Sequence, residues 1–490
     1  MNLKLQRYVL ILLFSIILVG LTNASYAEKK RPNILFCIAD DWGWPHAASY
    51  GDPAVKTPAF DRLAKEGVLF EHAYVTSPSC TPCRNSILTG RWHWQLGPGA
   101  SLWSTLSPKF KTWPLLLMKA GYHTGHMRKS WGPGLLEGWE TPPAGPRFRT
   151  FEQFLSQKSD DEPFCFWLGA SDPHRGYKLG SGKAAGISLE KIKLFGCLPD
   201  HPTIRSDVAD YYFEVQRFDS DVMKAIKLLE AKGELDNTLI VMTGDHGMPF
   251  PRCKSNLYDS GTRVCLAARW GKKIKGNRRV TDFVSLMDLG PTFLEAAGVQ
   301  VPKEMSGRSL MTQLMSQKAG RVDVNRDHMI FGKERHVPSQ EKGNNGGYPS
   351  RAIRVDGYLY IHNIMPERWP NGMLDGKQSH LGRQLADCDN GPSKTFLIEH
   401  RTDPKYKKYY DMAFAKRPRV ELFDVKKDPD QLKNLADDPA YAKVKSALAA
   451  RLNEALKKAK DPRVLGHDIK FDEFPYRPKP TRKPVKKNKK

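Results

Sequence analysis

A cysteine, a proline and an arginine lie close together in the run Cys80-Thr81-Pro82-Cys83-Arg84. Pro82 suits the first turn of a helix, because its missing N–H is no loss there. Cys80 would then lie just ahead of that helix, where free backbone N–H groups and the positive end of the helix dipole favour a bound anion. Arg84, one turn along, adds a planar set of donors for a tetrahedral oxyanion. The spacing therefore predicts an anion site beside a cysteine.

The same run also contains a Cys-x-x-Cys pair, Cys80 and Cys83, which is typical of redox or zinc sites. The sequence has no second pair at zinc spacing, so this alternative is the weaker one.

Two polar pairs and a histidine each follow a short apolar run. Asp40-Asp41 follows 33–39, Asp245-His246 follows 238–242, and His174 follows 164–170. Clustered carboxylate oxygens favour hard divalent cations, while an imidazole ligand softens a site enough to admit magnesium or manganese. An isolated Asp pair is more often a turn or a helix cap, but two such pairs after apolar runs favour a metal site. His174 is suited to donating a proton near neutral pH.

The elements that must position these residues form an alternating pattern. Runs that are apolar throughout predict strands buried on both faces of a parallel sheet. Between them, a helix is predicted by apolar residues three and four apart, at Tyr211, Val215, Phe218, Val222, Ile226 and Leu229. The alternation predicts an α/β fold with a doubly wound, mainly parallel sheet flanked by helices. Ligands bind beyond the carboxyl ends of strands in such sheets, where all three polar clusters fall.

A smaller C-terminal α+β unit is predicted from about residue 321. One strand is expected over Ala352–Ile361 and another over Glu421–Asp424, followed by an amphipathic helix over Pro439–Lys458. The predicted divisions are a signal peptide at 1–27, a catalytic domain at 28–320, the second domain at 321–470 and a basic disordered tail at 471–490.

Composition limits the functional class. The chain has 490 residues, is 40% hydrophobic and carries a net charge of +24. Lys4 and Arg7 precede an apolar run that is short for a membrane span, which predicts export to a periplasm, a lysosome-like compartment or the medium. An uncleaved N-terminal anchor is the alternative. Export and the lack of a recognition motif argue against nucleic acid binding.

Of the eight cysteines, Cys37, Cys165 and Cys265 lie in apolar runs and are expected to be buried.

The run from Cys80 to Arg84, continued by Leu88-Thr89-Gly90-Arg91, resembles the sulfatase signature. The resemblance implies that a formylglycine-generating or maturase enzyme oxidises Cys80 to formylglycine, whose hydrated aldehyde is the nucleophile. It also implies an alkaline-phosphatase-like fold with a C-terminal four-stranded antiparallel sheet and a packed helix.

The resemblance further implies a calcium site formed by Asp40, Asp41, Cys80, Asp245 and His246. It assigns contacts with the sulfo group to Arg84, Lys129, His174 and Lys254, with His174 also near the leaving oxygen. Two positions depart from the family pattern. Trp131 replaces a histidine that would touch the formylglycine, so that either His126 takes over this role or the role is lost, and Cys83 replaces the usual serine.

Within the family, the likeness is nearest to heparan N-sulfatase, which implies a sulfated saccharide as substrate. It is carried by the runs Asp172–Arg175, Met248–Pro251, Asn256–Tyr258 and Tyr348–Arg351, although that branch tends to have arginine where Lys254 stands. Three residues of the second domain are candidate sugar contacts: Glu334, His336 and Arg351. Their alternative role is domain packing. The alternative functions are an O-sulfatase on another polysaccharide, a phosphodiesterase or phosphonate hydrolase of the same superfamily, and an inactive polyanion-binding protein.

Overall fold

A computed structural model describes residues 30–467 and 470–479. The predicted signal peptide and the end of the predicted tail lie outside these residues. Among the described helices, none combines the length and the apolar character that crossing a bilayer requires.

A seven-stranded mixed sheet forms the larger part of the molecule. Its strands are β1 (Asn33–Ala39), β2 (Val68–Tyr74), β4 (His123–Met127), β6 (Phe164–Gly169), β7 (Thr238–Gly244), β8 (Leu266–Arg269) and β9 (Arg278–Ser285). The order across the sheet is β4-β6-β1-β7-β8-β2-β9, and only β8 runs antiparallel to its neighbours. Two short strands, β3 (Ser104–Thr105) and β5 (Gly134–Leu135), pair separately. The predicted mainly parallel sheet is confirmed.

Apolar side chains cover both faces of this sheet, which explains why its strands are apolar throughout. On β1, Leu35 and Cys37 face one core and Ile34 and Phe36 face the other. The predicted helix stripe lies on the 30-residue helix Pro202–Ala231 and is buried in the first core. The predicted burial of Cys37, Cys165 and Cys265 is also confirmed.

The helices that surround the two sheets vary widely in length. Their bounds are Pro58–Glu66, Cys80–Thr89, Trp113–Lys119, Phe151–Ser156, Ser181–Ala184, Pro202–Ala231, Asp259–Thr262, Leu289–Ala296, Met311–Met315, Pro392–Glu399, Lys407–Phe414 and Ala442–Lys458.

A four-stranded antiparallel sheet forms the smaller unit, with strands β10 (His328–Lys333), β11 (Ser350–Val355), β12 (Tyr358–Asn363) and β13 (Val420–Asp424) in that order. The helix Ala442–Lys458 packs on it through Leu448, Leu452 and Leu456. One prediction was wrong here: 352–361 is not a single strand but parts of β11 and β12. The intervening Asp-Gly at 356–357 is a preferred hairpin turn, so the chain reverses there.

The predicted disordered tail was also placed too early, because residues 471–477 are packed. Phe471 is buried in the core under the helix Ala442–Lys458, and the Arg477 guanidinium lies over the ring of Trp103. The apolar and aromatic residues of this segment bury surface that offsets the entropy of ordering it.

Candidate active site

The carboxyl ends of three adjacent parallel strands bring the predicted polar residues together. Asp40 and Asp41 follow β1, His174 follows β6, and Asp245 and His246 follow β7. The chain turns sharply after β1, because Asp41 has a positive φ of 73° and its N–H donates to Asp245 Oδ1 at 2.8 Å. The strand order therefore explains why residues 204 positions apart in sequence share one site.

Cys80 is the first residue of the helix Cys80–Thr89 rather than just ahead of it, with Ser79 as the N-cap. Its Sγ lies 3.3 Å from His246 Nε2 and 3.5 Å from Asp40 Oδ1. Burial, followed by the charge of Asp40, raises the pKa of this thiol well above its usual value. Cys80 is therefore held as a protonated thiol among the predicted metal ligands.

The Cys-x-x-Cys alternative has no support in the geometry of the second thiol. Cys83 Sγ donates to the Asp245 carbonyl at 2.8 Å and so faces the core beside β7. All eight cysteines lie within the described residues, and all are free.

Four side chains offer ligand atoms that all lie within 4.8 Å of one another: Asp40, Asp41, Cys80 and His246. Asp41 Oδ1 is a buried carboxylate oxygen that accepts no hydrogen bond, a costly arrangement without a cation. The donor set of two carboxylates and an imidazole fits a divalent metal ion. Asp245, the fifth predicted ligand, adjoins the group, with Oδ1 3.6 Å from His246 Nε2.

Two lysines reach the two carboxylates that follow β1. Lys129 Nζ lies 2.6 Å from Asp40 Oδ1, and Lys254 Nζ lies 2.8 Å from Asp41 Oδ2. Burial by itself would raise the pKa of Asp40, but Lys129 and then Arg84 outweigh it and hold that pKa well below its usual value. The site therefore combines buried carboxylates for a cation with ammonium groups for an anion.

The Arg84 guanidinium is not free to bind an anion. It is fully buried, its Nε donates to Asp245 Oδ2 at 2.8 Å, and its Nη1 donates to the Lys129 carbonyl at 2.8 Å. Its guanidinium therefore positions Asp245 and the segment that carries Lys129. The prediction that Arg84 contacts the sulfo group gains no support from this geometry.

His174 lies at the mouth of the site, with 37% of its side chain exposed. Its Nδ1 faces the Arg175 carbonyl at 2.6 Å, which leaves Nε2 directed to the site, 3.9 Å from Asp41 Oδ2. This orientation suits a proton donor to a leaving group.

Asp389 is a site residue that the sequence analysis missed. Its Oδ2 accepts from Lys254 Nζ at 2.9 Å, and it lies in one group with Asp41 and His174. Although burial alone would raise the pKa of Asp389, Lys254 and then His174 lower it, so the carboxyl is ionised. Asp389 precedes the helix Pro392–Glu399, and no motif or apolar run marks it in the sequence.

The sulfatase family model matches residues 32–133 and 147–299. This chain belongs to the sulfatase family. The enzyme is a sulfuric ester hydrolase, and its two sheets form the alkaline-phosphatase-like fold that was predicted.

Two curated relatives and one solved structure show how far the likeness extends. The sulfatase is 28% identical to human N-sulphoglucosamine sulphohydrolase, over 91% of this chain and 94% of the relative. It is also 28% identical to an ulvan-active sulfatase of Formosa agariphila, over 88% of this chain and 80% of that one. A structure solved in complex with its substrate, D-glucosamine-2-N,6-O-disulfate, matches the fold with a TM-score of 0.61 and 21% identity, covering 91% of this chain and 100% of the other.

The candidate sugar contacts in the second domain of this sulfatase do not lie together at its active site. Arg351 and Glu334 are buried and paired with each other at 2.6 Å, and Asp461 and Arg463 complete their group. Because both side chains are taken up by ion pairs between structural elements, their predicted sugar contact gains no support. His336 lies nearer to the site. Its Nδ1 is 2.8 Å from Oγ of Ser79, the N-cap of the helix Cys80–Thr89.

The residue that departs from the sulfatase pattern, Trp131, is directed to the helix rather than to the metal group. Its Nε1 donates to Asn85 Oδ1, and its ring packs with the second core. His126 is buried on β4, where its Nδ1 is bonded to the Gly145 carbonyl at 2.9 Å. His126 does not belong to the group of ligand atoms around Cys80, and Trp131 bonds to the helix instead.

Proposed function

We propose that this sulfatase is an exported enzyme that removes sulfate from a saccharide bearing glucosamine N-sulfate at its non-reducing end. The observation that carries the proposal is the placement of Cys80 Sγ, at a helix N-terminus, in one group with Asp40, Asp41 and His246. The relative that acts on N-sulphoglucosamine spans nearly the whole of both chains, which supports the N-sulfated substrate. The ulvan-active relative has the same identity, so an O-sulfated polysaccharide is the second candidate.

Two groups beyond the encoded side chains complete the proposed site. Asp40, Asp41, Asp245 and His246 would hold a divalent cation, proposed to be Ca²⁺, which supplies Lewis-acid stabilisation of the sulfo oxygens. Oxidation of Cys80 by a formylglycine-generating or maturase enzyme would supply a hydrated aldehyde as nucleophile. The backbone N–H groups at the start of the helix Cys80–Thr89 favour a negatively charged substrate group beside it.

The side chains of the protein have separable roles in this proposal. Lys129 lies beside Asp40 and Lys254 beside Asp41, and both bind sulfo oxygens as compact positive charges. The Nδ1–H of His174 donates a hydrogen bond to the Arg175 carbonyl, and in the imidazolium form its Nε2–H donates a proton to the leaving atom. Arg84 holds Asp245 and the Lys129 segment in place and so acts through them.

The organisation of the chain follows the same proposal. We assign residues 1–27 to a cleaved signal peptide, 28–320 to the catalytic domain and 321–470 to the second domain. The catalytic range holds the nucleophile, the metal group and His174, whereas Asp389 comes from the second range. The proposed partners are the maturing enzyme and an anionic sulfated saccharide, with no nucleic acid.

A desulfation assay tests this function. The protein is produced with a formylglycine-generating enzyme, and peptide mass spectrometry measures the aldehyde at position 80. Turnover is then compared on glucosamine N-sulfate, an O-sulfated ulvan oligosaccharide and an aryl sulfate, with Cys80→Ser as the inactive control. Release of sulfate from glucosamine N-sulfate is expected. Release from ulvan alone would move the proposal to the second candidate, and no release by fully modified protein would contradict it.

A further inference from the structure

Asp389 reaches the site on a segment that the second unit holds rigidly. Its neighbour Asp387 is buried, and its carboxylate accepts from Lys333 Nζ at 2.9 Å and from the Val337 N–H at 3.0 Å. The Lys394 ammonium donates to the Cys388 carbonyl at 2.8 Å and, on the other side of Asp389, to Asn390 Oδ1 at 2.9 Å. Because hydrogen bonds hold the residues on both sides of Asp389, the position of its carboxylate is preorganised.

Exposure increases from the floor of the site towards Asp389 and His174. The Lys254 side chain is 3% exposed, whereas those of Asp389 and His174 are 25% and 37% exposed. Lys254 Nζ lies between Asp41 Oδ2, at 2.8 Å, and Asp389 Oδ2, at 2.9 Å. Asp389 therefore lies nearer to solvent than the Lys254 ammonium that we assign to the sulfo group. The rest of the substrate must lie on this side of the sulfo group.

A second metal ion is not the best occupant for the group formed by Asp41, His174 and Asp389. The Lys254 ammonium already lies within hydrogen-bond distance of both carboxylates, so a cation placed between them would meet a like charge at short range. The ionised Asp389 carboxylate is instead paired with the Lys254 ammonium on one side and open to solvent on the other.

An ionised carboxylate can only accept hydrogen bonds, so its ligand must offer a donor. The sulfo group of a sulfate ester or sulfamate is itself an anionic acceptor. The donor must therefore belong to the leaving part of the substrate and lie close to the bond that breaks. A hydroxyl on a neighbouring carbon meets this requirement in sulfamates and sulfate esters alike, whereas an N–H is present only in a sulfamate.

We propose that Asp389 is a specificity-determining residue that accepts a hydrogen bond from a sugar hydroxyl on a carbon adjacent to the sulfated position. This inference rests on the proposed function and names the chemistry that the leaving group must carry. A saccharide supplies such a hydroxyl, and a simple aryl sulfate does not. Asp389 thereby separates the two substrate classes, while Lys129 and Lys254 serve both.

The test compares Asp389→Asn with the wild type on substrates that differ by one hydroxyl. The substrates are glucosamine N-sulfate, its 3-deoxy and 1,5-anhydro analogues, and 4-nitrophenyl sulfate. A charge-assisted hydrogen bond predicts that the wild type loses about 10- to 100-fold in kcat/KM on one of the two analogues. In Asp389→Asn that loss should shrink to within about threefold, and kcat/KM should fall more on glucosamine N-sulfate than on 4-nitrophenyl sulfate. The matched control is Asp375→Asn, an exposed acid in the same connection between β12 and the helix Pro392–Glu399.

Each other outcome has a defined meaning. An equal fall on the saccharide and on 4-nitrophenyl sulfate would show that Asp389 acts only by holding Lys254, and the inference would be wrong. It would also be wrong if the wild type lost turnover on neither analogue, or if its loss persisted unchanged in the variant. If the wild type cleaves an O-sulfated saccharide instead, the proposed substrate fails, and deoxy analogues of that saccharide decide the role of Asp389. If fully modified wild type cleaves none of these compounds, both the proposed function and this inference fail.

Discussion

Replacing Arg351 with methionine separates a packing role from a sugar-binding one. Arg351 lies on β11, and its Nε is 2.5 Å from Asp461 Oδ2, while its Nη2 is 2.6 Å from Glu334 Oε1. Its guanidinium also covers the ring of Trp94, with 4.9 Å between the Arg351 Cζ and the ring centroid. Methionine keeps most of this packing and removes the charge.

The expected loss of stability depends on which cationic partner Glu334 and Asp461 each retain in the variant. Glu334 retains Arg463, whose Nη2 lies 2.6 Å from Glu334 Oε2. Asp461 is fully buried and loses its only cationic partner among the described ion pairs. Leaving one buried charge uncompensated costs about 3–5 kcal/mol, so Arg351→Met should lower the free energy of unfolding by that amount. Adding Asp461→Asn should recover at least about 2 kcal/mol, because the orphaned charge is then removed.

Urea denaturation followed by far-ultraviolet circular dichroism measures the free energy of unfolding for wild type, Arg351→Met and the double variant. Activity is measured at a temperature where each variant is folded. We expect kcat/KM on both the saccharide and the aryl sulfate to stay close to wild type. A variant with unchanged stability that loses only saccharide turnover would refute the reasoning and return Arg351 to the substrate.

Three other changes test separate parts of the site and fold. Cys80→Ser should fold normally and lose at least about a thousandfold in turnover, with no aldehyde at position 80 by peptide mass spectrometry. Asp41→Ala should remove bound metal and activity together, measured by elemental analysis and a desulfation assay; retained metal would contradict the assignment. Burial, followed by the charges of Arg263 and Arg354, lowers the pKa of His72 to about 4, so the unfolded state takes up the proton first as pH falls. Stability should therefore drop between about pH 6.5 and pH 4, and His72→Gln should flatten that drop in urea midpoints.

The larger sheet could be predicted from the sequence because the residues of each strand by themselves mark it as a buried strand. Strands buried on both faces must be apolar throughout, so β1, β6 and β7 are visible as uninterrupted runs. Polar residues that follow such runs lie at one edge of a parallel sheet, which is where Asp40 and His174 are found. The proline three residues into the helix Cys80–Thr89 marked the first turn for the same local reason.

The tertiary structure alone decided which charged residues reach the site. Lys254 and Asp389 are 135 positions apart, and their contact depends on how the second unit packs against the first. Arg84 and Arg351 looked like anion- or sugar-binding residues by type, yet each is buried against carboxylates that arrive from distant segments. A buried arginine needs such partners to offset its desolvation, and sequence spacing does not reveal which acids the fold brings to it. Residue types and spacing therefore determined the chemistry and the sheet, whereas the packing of the two units determined which charges face the substrate.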